Sequence, residues 1–103
     1  FTFVDTVVEV IVGALDRQLA HTEPVNLAFG GRTRLLDLIS MLEQVLDRKL
    51  PMDFQPPRPG DVQQSQADPS LLRQLFPYIE PTDLLVGLEK TADWFSKQRP
   101  WEQ

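Results

Sequence analysis

The sequence has no cysteine, one histidine, one tyrosine and five glycines among 103 residues. Without thiols, a disulfide scaffold, a zinc–thiolate site and a cysteine nucleophile are all excluded. Cations are in the minority, with 10 Lys and Arg against 15 Asp and Glu for a net charge of −5. Non-specific nucleic-acid binding is driven by cations that neutralise phosphate, so nucleic acid is not an expected partner. Long apolar runs are missing too. The longest, Val7 to Leu15, is interrupted by Glu9 and falls far short of the roughly 20 residues that span a bilayer. No basic segment with a small-residue cleavage site precedes it, so neither a membrane span nor a signal peptide is expected, and the default location is the cytoplasm.

What is present reads as one globular domain with one core. Hydrophobic residues make up 42% of the chain, too many for a disordered tail. Residue 1 is Phe rather than Met, and an amphipathic pattern is running by Val4. We therefore expect a piece of something longer.

The spacing predicts a first helix from Asp5 to about Ala20. Val4, Val7, Val8, Ile11, Leu15 and Leu19 recur every three or four residues and form its expected core face. Val10, Val12 and Ala14 fall outside that stripe, so cover is expected on a second side as well. Val25 to Phe29 is a strand candidate between Pro24 and Gly30-Gly31. Thr33 is the expected cap of a second helix whose core stripe is Leu35, Leu38, Ile39, Leu42, Val45 and Leu46, with Arg48 and Lys49 near its C-terminal end. Seven of the nine prolines lie between Leu50 and Pro81. They predict an extended loop, with Met52 and Phe54 as a possible edge strand. Asp68-Pro69 is a helix start, with Asp at N-cap and Pro at the first helical position, and Pro77 stops that helix. A last helix begins at Thr82 or Asp83, buries Leu84, Leu85, Leu88, Ala92 and Phe95, and ends before Pro100. The expected class is α/β: a small, mostly helical lobe with a few short strands. Its divisions are a helix over 1–21, a strand-turn-helix unit over 25–48, a proline-rich loop over 50–68 and C-terminal helices over 69–99.

The catalytic inventory is thin. His21, near the end of the first helix, reads as structural, and Tyr78 reads as a loop anchor. Gly30-Gly31 lacks the third glycine of a dinucleotide-binding turn, and Arg32 reads as a solvated turn residue. No residue is assigned a catalytic role and no metal site is expected. The segment that stands out is Pro56-Pro57-Arg58-Pro59-Gly60-Asp61-Val62, followed by Ala67-Asp68-Pro69-Ser70. Neighbouring prolines hold the backbone of Arg58, and a rigidly presented arginine suits two-pronged recognition of phosphate. Asp61 is placed to orient that arginine or to accept a hydrogen bond from a sugar hydroxyl. A loop ion pair without a ligand is the alternative.

These residues resemble the C-terminal part of the extended short-chain dehydrogenase/reductase family, specifically its NAD-dependent nucleotide-sugar epimerases and dehydratases. Phe1 to Val8 is similar to the family segment that follows an Arg-Asp pair. The run Val25 to Thr33 resembles its Y-N-x-G-x-G-x-x-T-S turn. Arg58 to Val62 with Ala67 to Ser70 resembles R-x-G-D-V…A-D-x-S-K-A, and Asp83 to Leu88 with Trp94-Phe95 resembles S-L-E-E-G-L…W-F. Arg34 and Leu71-Leu72 depart from the pattern.

The resemblance implies a division of labour. A Rossmann lobe, absent from this sequence, would bind NAD and carry the Tyr-x-x-x-Lys pair. The present chain would be the detached lobe that holds the diphosphate and ribose of a nucleotide-sugar, a UDP-sugar by the form of the loop motif. Arg58 matches the family arginine on the diphosphate, and Asp61 matches the aspartate on the ribose. The implied parent is a cytoplasmic, homodimeric 4-epimerase, similar to those that act on UDP-glucose or UDP-N-acetylglucosamine, that oxidises and re-reduces C4 of the hexose, and the lobe alone would be inactive. The alternatives are a lobe of a related dehydratase, decarboxylase or reductase, or a small α/β protein-interaction module.

Overall fold

The computed structural model describes residues 1–62 and 64–102. Gln63, inside the expected 50–68 loop, and Gln103 lie outside the described residues. Four helices follow in order: α1 (Val4–Asp16), α2 (Leu35–Leu46), α3 (Ser70–Leu75) and α4 (Leu84–Gln98), with a 3-10 turn at Pro100–Glu102. No helix of the described residues is long and apolar enough to cross a membrane.

α1 ends four residues earlier than its periodicity predicts. The Gln18 N–H donates to the Leu15 carbonyl and the Leu19 N–H to the Ala14 carbonyl, with Gln18 at φ +50. This is the Schellman stop, and Leu19 folds back onto the core beside it. Glutamine in the left-handed position is not a sequence signal, so the periodic pattern overruns the helix. α2 ends the same way around Asp47 at φ +49, where the Arg48 N–H donates to the Glu43 carbonyl. Lys49 pairs with the Glu43 carboxylate at 2.8 Å rather than sitting in the last helical turn.

Two helix starts behave as the sequence predicts in substance. Asp83 accepts from the Leu85 N–H at 3.1 Å and caps α4. Asp68 accepts from the Ser70 N–H at 2.9 Å and from the Ser70 hydroxyl, although the helix proper begins one residue later, at Ser70. The expected Thr33 cap does not form. Arg34 occupies the N-cap of α2 with no side-chain hydrogen bond to the helix.

The core forms where α1 and the 25–29 segment meet α3 and the turn after it. Val10, Leu72, Phe76 and Ile79 are buried, with Ala14, Leu19, Val25, Leu27, Phe29 and Leu75 packed around them. Much of the expected face of α1 is therefore turned outward, although Val7 is half-buried and Leu19 packs on the core. Val10 and Ala14 point inward, while Val4, Val8, Ile11 and Leu15 are exposed. Periodicity alone does not choose between two apolar faces of one helix. Leu38, Ile39, Leu42, Val45 and Leu46 of α2 are half-buried and Leu35 is exposed; α2 packs on α4. On α4, Leu84, Leu85, Leu88 and Ala92 are half-buried and Phe95 is exposed.

The expected strands are absent among the described residues. Val25, Leu27 and Phe29 do alternate toward the core, but no neighbouring strand pairs with them. A strand needs a partner for its backbone groups. Here side chains meet some of those acceptors. Arg73 donates to the Phe29 carbonyl at 2.9 Å, and Gln66 donates to the Gly30 carbonyl at 3.2 Å. Met52 and Phe54 are exposed on the open loop.

Candidate functional site

The Arg58 turn is built by its own residue types. The Asp61 N–H donates to the Arg58 carbonyl at 3.2 Å. Proline at the second position and Gly60 at φ +86 at the third are the residue pattern of a type II turn. The turn folds the two side chains onto one another, with Arg58 Nε 3.4 Å from Asp61 Oδ2. The Arg58 side chain is 85% exposed, so this contact leaves the guanidinium open to solvent and to a ligand.

Residues 65–67, further along the same loop, line a cleft of about 410 Å³. Phe1 and Phe3 form one wall, Phe29, Gly30 and Gly31 another, and Gln66 closes a third side with Ser65 and Ala67. Gly30 sits at φ +75, and a Cβ there would meet Pro69 Cγ at 3.2 Å, so glycine lets the chain turn tightly against the α3 entrance. Gln66 organises the rim. Its carbonyl oxygen accepts from Arg32 Nε at 2.8 Å, while its amide nitrogen donates to the Gly30 carbonyl. Thr82 and Gly87 of the α4 side complete the lining, and Phe3 is seated over Gly87, where a Cβ would stand 3.1 Å from the ring.

Arg58 and Asp61 are brought together, but neither lines this cleft. Both belong to the loop whose later residues, 65–67, form a cleft wall. Arg32, read from sequence as a solvated turn residue, is exposed but tied to Gln66. Gln66 itself carried no signal that set it apart from Gln64. His21 is exposed and hydrogen-bonds locally, accepting from the Glu23 N–H at 3.2 Å. Tyr78 packs edge-on to Phe76, and the Arg17 guanidinium lies 5.3 Å from the Phe76 ring centre and donates to the Leu75 carbonyl. These contacts brace the end of α1 and lie away from the cleft.

Two carboxylates are held below the usual range. For Glu43 the causes are the Lys49 ammonium and the Leu50 N–H; for Asp68 they are the hydroxyl and N–H of Ser70. Neither lines the cleft. No group of three metal-ligating side chains occurs among the described residues.

The chain is 29% identical over 101 residues to an uncharacterized protein of Methanocaldococcus jannaschii, covering 98% of this chain and 31% of that one. It is 32% identical over 108 residues to UDP-glucuronate 4-epimerase 3 of Arabidopsis thaliana, covering 92% and 25%. An uncharacterized UDP-glucose epimerase of Bacillus subtilis is 28% identical over 96 residues, covering 93% and 30%. The chain thus spans between a quarter and a third of the length of these relatives. No family profile matches the sequence, and no solved structure matches it.

Proposed function

We propose that this chain is the substrate-binding lobe of a longer NAD-dependent nucleotide-sugar 4-epimerase that takes a UDP-hexose or UDP-hexuronic acid. The observation that carries the reading is similarity to UDP-glucuronate 4-epimerases over 92% of the chain, joined to an exposed arginine on a proline-held turn within it. In this reading Arg58 engages the diphosphate. Two guanidinium N–H groups match two phosphate oxygens, and the low backbone freedom around Pro57 and Pro59 reduces the entropy lost on binding. Asp61 orients Arg58 from one side and accepts from the ribose. The cleft lined by Phe1, Phe3 and Phe29 together with the hydroxyl and amide groups of Thr33, Ser65 and Gln66 offers aromatic and polar contacts for the rest of the nucleotide.

The chain contributes binding rather than bond-making. Positioning a diphosphate fixes the sugar over a reactive group that another part of the polypeptide supplies. NAD, the hydride step and the acid–base pair belong to that other part, as do the contacts of a homodimer, and a cytoplasmic location goes with this reading.

Steady-state kinetics of the longer enzyme test it. An arginine–phosphate contact is worth about 1.5–3 kcal/mol, or roughly ten- to hundredfold. Arg58→Ala should raise KM for the UDP-sugar by that factor, and Arg58→Lys should not restore it, since an ammonium lacks the fork. An unchanged KM for Arg58→Ala removes Arg58 from the site.

A further inference from the structure

The loop that carries Arg58 is held by very little. From Pro51 to Gln66 every described residue is exposed, and its large apolar side chains, Met52, Phe54 and Val62, lie in solvent rather than in the core. Its internal hydrogen bonds are local, from Gln55 to Asp53 and from the Asp61 N–H to the Arg58 carbonyl. Upstream, the chain is fixed at Leu50, whose N–H donates to Glu43 at 2.9 Å. Between that point and Asp68, only Gln66 hydrogen-bonds to another segment among the described residues. Prolines fix the local shape of the arginine turn but not its placement. A loop that buries no side chain takes its placement from the bonds at its ends.

Gln66 is suited to that task. Its oxygen accepts from Arg32 Nε at 2.8 Å while its nitrogen donates to the Gly30 carbonyl at 3.2 Å. A carboxylate could accept the first bond but not donate the second, and an ammonium the reverse. The turn that it grips is anchored in its own right. Arg73 of α3 donates to the neighbouring Phe29 carbonyl at 2.9 Å, and Pro69 sits against Gly30. Gln66 thus joins two walls of the cleft, 29–31 and 65–67. We propose that Gln66, locked by Arg32, is the positioning residue of the Arg58 loop: it clasps the loop to the glycine turn and so sets where the guanidinium meets a diphosphate. The inference rests on the nucleotide-sugar reading of Arg58 and adds two residues to which that reading gives no role. In this role Gln66 touches no phosphate. It keeps the loop in the placement that binds, and a loop that wanders binds more weakly in proportion to the time it spends elsewhere. Arg32 works through Gln66, not as a second phosphate ligand.

Two measurements on the full-length protein test this. Gln66→Ala should raise KM for the UDP-sugar roughly three- to tenfold and leave kcat within about twofold, because placement is lost while the reacting groups stay intact. Arg32→Ala should match it, and the double variant should be no worse than either, as for two residues that act as one unit. KM effects that multiply in the double variant make Arg32 an independent ligand and overturn the clasp. The second measurement needs no nucleotide. Nitroxides at Gln64→Cys on the loop and Ser40→Cys on α2, both exposed positions, with any other cysteine replaced, should give a distance distribution that broadens in Gln66→Ala. A distribution as narrow as before overturns the clasp whatever the kinetics. Broadening with an unchanged KM, where Arg58→Ala still raises KM, overturns the positioning role and leaves the nucleotide site standing. An unchanged KM in Arg58→Ala as well retires the nucleotide site itself, and the proposal falls with it. Should Gln66→Ala fail to fold, Arg32→Ala breaks the same clasp from the other side and gives the same readouts.

Discussion

Glu43 shows how much one side chain can organise locally. Its two oxygens take the Lys49 ammonium at 2.8 Å and the Leu50 N–H at 2.9 Å, closing the turn that follows α2. These contacts favour the charged form, so the folded pKa lies below the unfolded one. The stabilisation is then fully present above the unfolded carboxylate pKa of about 4.3, and is lost as acid carries the pH through the lower folded value. Asp68 behaves with the same sign through Ser70. We predict that Glu43→Gln lowers the melting temperature at neutral pH and weakens its fall between about pH 5 and pH 3. Thermal melts across that range measure it, and parallel curves for the two proteins would exclude the role. At this scale much was legible. The Asp83 start of α4 follows from residue type next to an apolar run, and the Arg58–Asp61 turn follows from Pro59 and Gly60; Asp68 does bond to Ser70, but Pro69, not Asp68, holds the N-cap of α3. The Gln66 bridge between Arg32 and Gly30 was not, because its partners lie 34 and 36 residues away.

Between elements, one buried hydroxyl helps to tie α1 to the start of α4. Thr6 is 1% exposed; its Oγ1 lies 3.2 Å from the Thr82 hydroxyl and accepts from the Thr82 N–H. Phe3 packs over Gly87, and Lys90 reaches Asp5 at 3.4 Å, so the same two elements meet at three points. Thr6→Val keeps the shape but leaves the Thr82 N–H without its partner, which should cost about 1–3 kcal/mol. Thr6→Ser should recover most of it. Denaturant midpoints of the two variants decide the matter, and equal losses would show that packing of the methyl, not the hydrogen bond, is what counts. The helices themselves were legible from apolar spacing. The inward face of α1 was not, since both of its faces are apolar and only the position of Leu72 and Phe76 selects Val10 over Ile11. The strands failed for a related reason. Val25, Leu27 and Phe29 alternate as a strand would, but pairing is a property of a neighbour, and among the described residues none is present.

At the scale of the whole molecule, the shape is open and few side chains are fully buried. If the proposed function holds, the 103-residue chain taken alone with NAD and a UDP-sugar should give no epimerisation, and calorimetry should find UDP binding weaker than about micromolar, because the proposed second lobe then contributes nothing to the site. Turnover by the chain alone would overturn the division of labour. By itself, the sequence determined the four helices, the Asp83 start of the last one, the proline-held arginine turn and the exclusion of thiol chemistry, since each depends on residues near one another in the chain. The tertiary structure decided which side of α1 is core, that the 25–29 segment stays unpaired, and that Phe3, Phe29 and Gln66 share one cleft. Those outcomes depend on which distant segments arrive beside one another, and local propensity holds no information about that.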